Sequence, residues 1–184
     1  MGTIFDEIKI KNPQEKIEST AEIEIKDLSE FGITDRFFDE ITKVYMKAYE
    51  GMEEYGEPTE KHARKYIRWL INHSDFFKIL YDKKTGIIGF IACSSEWWWN
   101  GKTGEIHEIC ITPEFQKMGL GKFLIMQAIE YFKIKGVNKV GLWVGANNEK
   151  AIRFYKSLGF HFTGESFPRW MRMEKEISGA PGGT

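Results

Sequence analysis

The sequence predicts an α/β layer fold, and three observations lead there. Two long segments repeat apolar residues at helical spacing. Several short runs rich in β-branched and aromatic residues are bounded by turn signals. A strand–helix–strand–helix succession occupies the centre of the chain. That last pattern demands a crossover helix lying on a sheet.

Each element can be justified in order. IEIKDL, residues 23–28, reads as a short strand. TDRFFDEITKVYMKAYEG reads as a helix, with Phe37, Ile41, Val44, Tyr45 and Ala48 on one stripe and Gly51 as its stop. A second helix begins after Pro58, where Ala63, Tyr66, Ile67, Leu70 and Ile71 keep the i, i+3, i+4, i+7, i+8 spacing. FFKILYD and GIIGFIACSSE flank the turn DKKTG as a hairpin. EIHEICIT follows as a strand. QKMGLGKFLIMQAIEYF then opens a helix that ends at Lys135-Gly136. KVGLWVGA is a near-continuous apolar strand, as expected where both faces are covered. A helix from Asn148 stops at Leu158-Gly159, and FHFTGES and RWMRMEKEI close the chain as two strands. The expected order is β-α-α-β-β-β-α-β-α-β-β.

At 184 residues, 42% hydrophobic and 29% charged, the composition is that of a globular protein with room for one sizeable core. We expect a polar N-terminal extension over residues 1–20, one domain over 21–177, and a flexible tail, SGAPGGT, over 178–184. A net charge of −1 gives no global attraction for nucleic acid or an anionic membrane, and neither is an expected partner. No apolar run approaches the roughly 20 residues of a membrane span, and MGTIFDEIKIKN lacks a secretory apolar region. A cytoplasmic protein is the expectation. Cys93 and Cys110 are too few for a disulfide framework or a four-cysteine zinc site. They read as buried free thiols, and no metal is expected.

The chemistry begins at Gly119 and Gly121. Glycine costs roughly 1 kcal/mol relative to alanine inside a helix, yet two stand where a helix starts after a strand. Bare backbone at a helix N-terminus suits an anion, because amides and the helix dipole converge there. Lys117 and Lys122 add positive charge. Neither the P-loop nor the dinucleotide fingerprint fits: Phe123 follows Gly121-Lys122, and Leu124 stands where a third glycine is needed.

Gln116-Lys117-Met118-Gly119-Leu120-Gly121 matches [QR]-x-x-G-x-[GA], and this segment resembles the Gcn5-related N-acetyltransferases (GNAT). GANNEKAIRFYKSLGF resembles the family's N-x-x-A-x-x-x-Y-x-x-x-G-F, through Asn147 or Asn148, Ala151, Tyr155, Gly159 and Phe160. The resemblance runs from about Ile23 to Ile177. It implies the GNAT acyl-CoA N-acyltransferase fold, a mixed, mostly antiparallel sheet of about six or seven strands with about four helices. It also implies acetyl-CoA as co-substrate. The pyrophosphate would sit on the amides of residues 117–122 (Lys117, Met118, Gly119, Leu120, Gly121 and Lys122) beside Gln116. The pantetheine would pair with Ile109, Cys110 and Ile111 in a gap opened towards KVGLWVGA, with help from the Asn147 amide. Many members carry a polar residue at the positions of Trp143 and Gly145, and a catalytic base there is absent from this chain.

The implied activity is N-acetyl transfer to a primary amine, either a small polyamine-like molecule or a protein or peptide amine, by direct attack in a ternary complex. A non-catalytic acetyl-CoA sensor or partner-binding module on the same fold is the competing expectation. The resemblance gives Tyr155 the role of proton donor to the leaving sulfur. It takes the base from Glu105 or His107, directly or through water. By period two, Glu105, His107, Ile109 and Ile111 share one strand face and Glu108 and Cys110 the other. A bulge would bring Glu108 into play instead. YEGMEEYGEP, with Glu50, Glu53, Glu54 and Glu57 beside Tyr49 and Tyr55, suits a cationic acceptor or is a solvated acidic connector. Trp97, Trp98 and Trp99 would wall the acceptor site, make a homodimer contact, or pack on the sheet.

Overall fold

The structure is a computed structural model that describes residues 8–10, 21–97 and 103–177. The expected tail and Trp98 and Trp99 lie outside the described residues. The strands are β1 (Ile8–Ile10), β2 (Ala21–Asp27), β3 (Phe76–Asp82), β4 (Gly86–Ser94), β5 (Thr103–Ile111), β6 (Lys139–Gly145), β7 (His161–Phe167) and β8 (Trp170–Glu176). The helices are α1 (Asp35–Ala48), α2 (Glu60–His73), α3 (Leu120–Ile134) and α4 (Glu149–Ser157). The expected order holds, with one short strand added at the start. β1 pairs antiparallel with β2 through Ile8↔Ile23 to Ile10↔Ala21.

One sheet runs β1-β2-β3-β4-β5-β6-β8-β7. Its pairs are antiparallel except β5–β6, which α3 joins as a parallel crossover. α1 and α2 cover one face through Phe37, Ile41, Val44, Ala63, Ile67 and Leu70, packed on Phe77, Ile79, Phe90 and Cys110. α3 covers the other through Leu124, Ala128, Ile129 and Phe132, packed on Leu80, Ile91, Ile106 and Val140. Side-chain caps fix three helix starts. Thr34 accepts from the Phe37 amide, Thr59 from the His62 amide at 3.3 Å each, and Asn148 from the Ala151 amide at 3.0 Å. Each such cap is worth about 1 kcal/mol. α3 has no such cap and starts from Gly119 at φ 82°. Both cysteines are buried free thiols. No helix of the described residues is long and apolar enough to cross a membrane.

Two irregularities in β5 shape the centre of the molecule. The first is a splay. β5 and β6 pair only from Thr103↔Lys139 to Ile106↔Leu142, so the rest of β5 runs on without β6 beside it. The second is a bulge: Ala92 faces Glu108 on β5, but Cys93 faces Ile106, leaving His107 as the extra residue. The bulge overturns the expected alternation. Ile106 now packs in the α3 cluster with Ile109 and Ile111. Glu105 lies on the α1–α2 side, where Glu108 and the His107 ring also face.

Candidate active site

The splay opens into a cavity of about 1030 Å³ bounded by β5, β6, α4, the glycine turn and the loop between α1 and α2. Among the expected site residues, Glu105, His107, Ile109, Cys110, Ile111 and Tyr155 line it along β5 and α4. Gln116, Lys117, Gly119, Gly121 and Lys122 line its glycine-turn end. Met118, Leu120 and Asn147 are not among its lining residues: the Leu120 side chain is core, at 1% exposure.

The glycine turn holds a tight left-handed geometry. Lys117 has φ 62° and Gly119 φ 82°, which turn successive amides out ahead of α3. At Gly119 an added Cβ would meet nothing within 4 Å, whereas at Gly121 it would sit 3.3 Å from the Phe154 ring. Gly121 therefore also serves close packing of α3 on α4. Gln116 is occupied: its Nε2 donates to the Ile111 carbonyl at 2.8 Å and its Oε1 accepts from Lys150 at 2.5 Å. It ties the turn to β5 and α4 rather than presenting a free amide to a ligand. The Asn147 amide is also occupied, donating to the Tyr55 hydroxyl at 3.0 Å.

Glu108 is the carboxylate that burial changes most usefully. It is 7% exposed. Tyr49 Oη donates to its two oxygens at 3.0 and 3.3 Å, and the Ile109 amide donates at 3.1 Å. Desolvation outweighs these bonds and raises its pKa from 4.5 to about 7. Tyr49 and Tyr66 are themselves pushed up by burial and by the Glu108 charge, so both remain protonated beside it.

Glu105 and His107 have different surroundings. Glu105 pairs with Arg172 at 2.6 Å, with side-chain exposures of 3% and 1%. The guanidinium crosses β6 at Gly141, where a Cβ would fall 1.9 Å from Nη2, and lies 5.5 Å from the centre of the Trp143 ring. The strut therefore spans β5, β6 and β8. His107 is lowered to about 4, first by burial and then by the charge of His73. Its Nε2 lies 2.9 Å from Ser94 Oγ, and its ring meets Trp69 and Trp97 edge-on at 5.3 and 4.7 Å.

Tyr155 lies on α4 at 9% exposure, between Phe154 and Phe160 at ring distances of 5.2 and 5.9 Å. Burial, then the Glu108 charge, pushes its hydroxyl well above the ordinary range for tyrosine. The acidic loop arches over the other end of the cavity. Tyr55 lays its ring on Gly145, where a Cβ would be 2.5 Å away, and meets Trp170 edge-on at 5.5 Å. Gly141 and Gly145 thus leave room for Arg172 and Tyr55 where other strands would carry side chains. Glu54 and Glu57 line the cavity, whereas Glu53 turns back to accept from the Gly51 amide at 2.8 Å.

Sequence reasoning missed Arg172, Tyr66 and Trp69, and gave Tyr49 no partner. Two glycines on one face of an apolar strand, Gly141 and Gly145, were the available signal for close approach. Among the described residues no group of His, Cys, Asp and Glu is arranged to hold a metal.

The family model of the GNAT acetyltransferases matches residues 38–160. An uncharacterized N-acetyltransferase of Methanocaldococcus jannaschii is 38% identical over 148 residues, which is 79% of this chain and 65% of that protein. The match thus spans slightly less than two thirds of that relative's length. A crystal structure of a Pyrococcus horikoshii OT3 protein is 33% identical, with a TM-score of 0.74 over 85% of this chain and 99% of that one. A PaiA N-acetyltransferase from Thermoplasma acidophilum, in complex with coenzyme A, shares the fold at 21% identity, with a TM-score of 0.64 over 84% and 98% of the two chains.

Proposed function

The chain belongs to the GNAT acetyltransferase family, and we propose that it moves the acetyl group of acetyl-CoA to a primary amine by direct attack, with Glu108 as base and Tyr155 as acid. Acetyl-CoA is the co-substrate of this family. The observation that carries the reading is the Glu108 carboxyl, buried under the Tyr49 hydroxyl in the wall of the β5–β6 cavity that Tyr155 also lines, where desolvation raises its pKa.

The residues fit the donor. Amides of residues 117–122 suit a pyrophosphate, with Lys117 and Lys122 adding charge. The edge of β5 from Ile109 to Ile111 lacks β6 beside it and suits an amide-bearing chain, as in strand addition. At the reacting centre the amine nitrogen attacks the thioester carbonyl, and a C–N bond replaces the C–S bond. Glu108 takes the proton the nitrogen must lose, directly or through one water. Tyr155 gives its hydroxyl proton to the departing sulfur. A base with a pKa near the working pH is both ionised and able to accept, whereas the His107 imidazole, at about 4, is a weak acceptor of a full proton. Glu105 is committed to Arg172, and parting a buried pair costs about 3–5 kcal/mol. Both sequence-derived bases therefore yield to Glu108 in this reading.

Glu54 and Glu57 at the cavity, with Tyr45, Tyr49 and Tyr66 deeper in, support a cationic acceptor such as a polyamine or a peptide amine. The test is mass spectrometry of a panel of polyamines, peptides and neutral-side-chain amines after incubation with acetyl-CoA. An added acetyl group on a primary amine is the expected result. Binding of acetyl-CoA without product from any acceptor would overturn it in favour of a binding module.

A further inference from the structure

We infer that His107 selects primary amines, by accepting the second N–H of the attacking nitrogen at its Nδ1. The inference rests on the acetyl-transfer reading above and adds a residue that decides which amines are used.

A chain of hydrogen bonds fixes the ring's tautomer. Ser94 Oγ donates its single proton to the His73 carbonyl. It therefore has only lone pairs to offer His107, and the bond of 2.9 Å must be donated by Nε2–H. Nδ1 is then the unprotonated nitrogen. Burial holds the ring neutral down to about pH 4, so this state persists across the neutral range. His73 is fixed in turn, its Nδ1 lying 2.8 Å from the Trp69 carbonyl and its ring stacked on Trp69 at 4.7 Å.

The direction of the ring follows from the sheet. Ser94 is on β4, one flank of β5. The two nitrogens of an imidazole point to different flanks, so a ring whose Nε2 faces β4 turns Nδ1 away from it, towards the splay. His107 lines the cavity there, next in sequence to Glu108. Trp69 and Trp97 stand edge-on against the ring at interplanar angles of 81° and 84°, which opposes a flip. The bulge at His107 puts these two neighbours on one side of the sheet; regular alternation would separate them.

A neutral primary amine has two N–H bonds and one lone pair. With Glu108 addressing one N–H and His107 Nδ1 the other, the lone pair is left for the thioester carbonyl. An N-methylated amine has one N–H only and leaves one acceptor unmatched. An unmatched polar group in a dry wall weakens binding, and a net hydrogen bond is worth about 3–10-fold.

The experiment compares a primary amine with its N-methyl counterpart, in the parent and in His107→Phe, which keeps a ring between the tryptophans. The parent should prefer the primary amine in kcat/KM by about 3–10-fold. His107→Phe should raise KM for the primary amine by a similar factor, erase most of the preference, and leave the pH profile in place. An unchanged preference in His107→Phe overturns the inference while acetyl transfer stands. No turnover by the parent overturns the reading beneath it. A ¹⁵N-histidine spectrum of the parent needs no variant. It should show His107 as the Nε2–H tautomer, with the Nδ1 signal moving on addition of the primary amine in the presence of CoA. An Nδ1–H tautomer would refute the proposal directly.

Discussion

Replacing Glu108 by glutamine should change stability in a pH-dependent way whose size and sign follow from its burial. The carboxyl titrates at about 7 in the folded chain, against 4.5 for the ordinary group. One pKa unit corresponds to about 1.4 kcal/mol, so the buried carboxylate costs the fold about 3–4 kcal/mol once fully ionised. Below about pH 4.5 both folded and unfolded chains hold the proton, and the group costs nothing. As pH rises towards 7 the unfolded chain releases its proton and the folded chain keeps it, so stability falls. Above the folded pKa the loss is complete and constant. Glu108→Gln removes this titration while keeping an oxygen for Tyr49 and for the Ile109 amide. Urea denaturation of both proteins, stepped from about pH 4 to about pH 8, should show the mutant gaining on the parent by about 3–4 kcal/mol across that span. The difference between the two curves is what matters, since a fixed offset reports only the fit of the new amide. A difference that stays flat with pH would refute the raised pKa and with it the argument for Glu108 as base.

Three further outcomes follow from single contacts. Tyr155→Phe should lower kcat by about 10²–10⁴-fold with acetyl-CoA binding retained, because the hydroxyl matters most as the sulfur leaves; a loss below about tenfold in a chemistry-limited assay would remove the acid role. Gly119→Val forces a β-branched residue to φ 82° and should raise the acetyl-CoA Kd about tenfold or more by calorimetry; unchanged affinity would refute the pyrophosphate assignment. Gly141→Ala drives a methyl into the buried Arg172 guanidinium and parts it from Glu105, so urea denaturation should show a loss of about 3–5 kcal/mol, and a loss under about 1 kcal/mol would mean the strut shifts without strain.

The fold was readable because its signals are local and periodic. Phe37, Ile41, Val44, Ala63, Ile67 and Leu70 mark their helices by spacing, and Gly51, Gly136 and Gly159 mark the stops with positive φ. The glycine turn was readable for the same reason. The base was not. One extra residue at His107 reverses which face Glu105 presents, and nothing in EIHEICIT marks where a bulge falls. Pairings at long range were hidden too. Tyr49 reaches Glu108 across 59 residues and Arg172 reaches Glu105 across 67. Such contacts are set by how the sheet and helices assemble, and only the empty sites at Gly141 and Gly145 hinted at them.

The central claim is that Glu108 takes the proton of an attacking amine. Its most direct test is the pH dependence of kcat/KM, at fixed acetyl-CoA, for the parent and for Glu108→Gln. The account predicts a parent rate that rises with pH through a limb near 7, since the carboxylate must be ionised to accept. In Glu108→Gln that limb should vanish and the remaining rate should fall about 10²–10⁴-fold. The same limb at the same pH in both proteins, with comparable rates, would contradict the account.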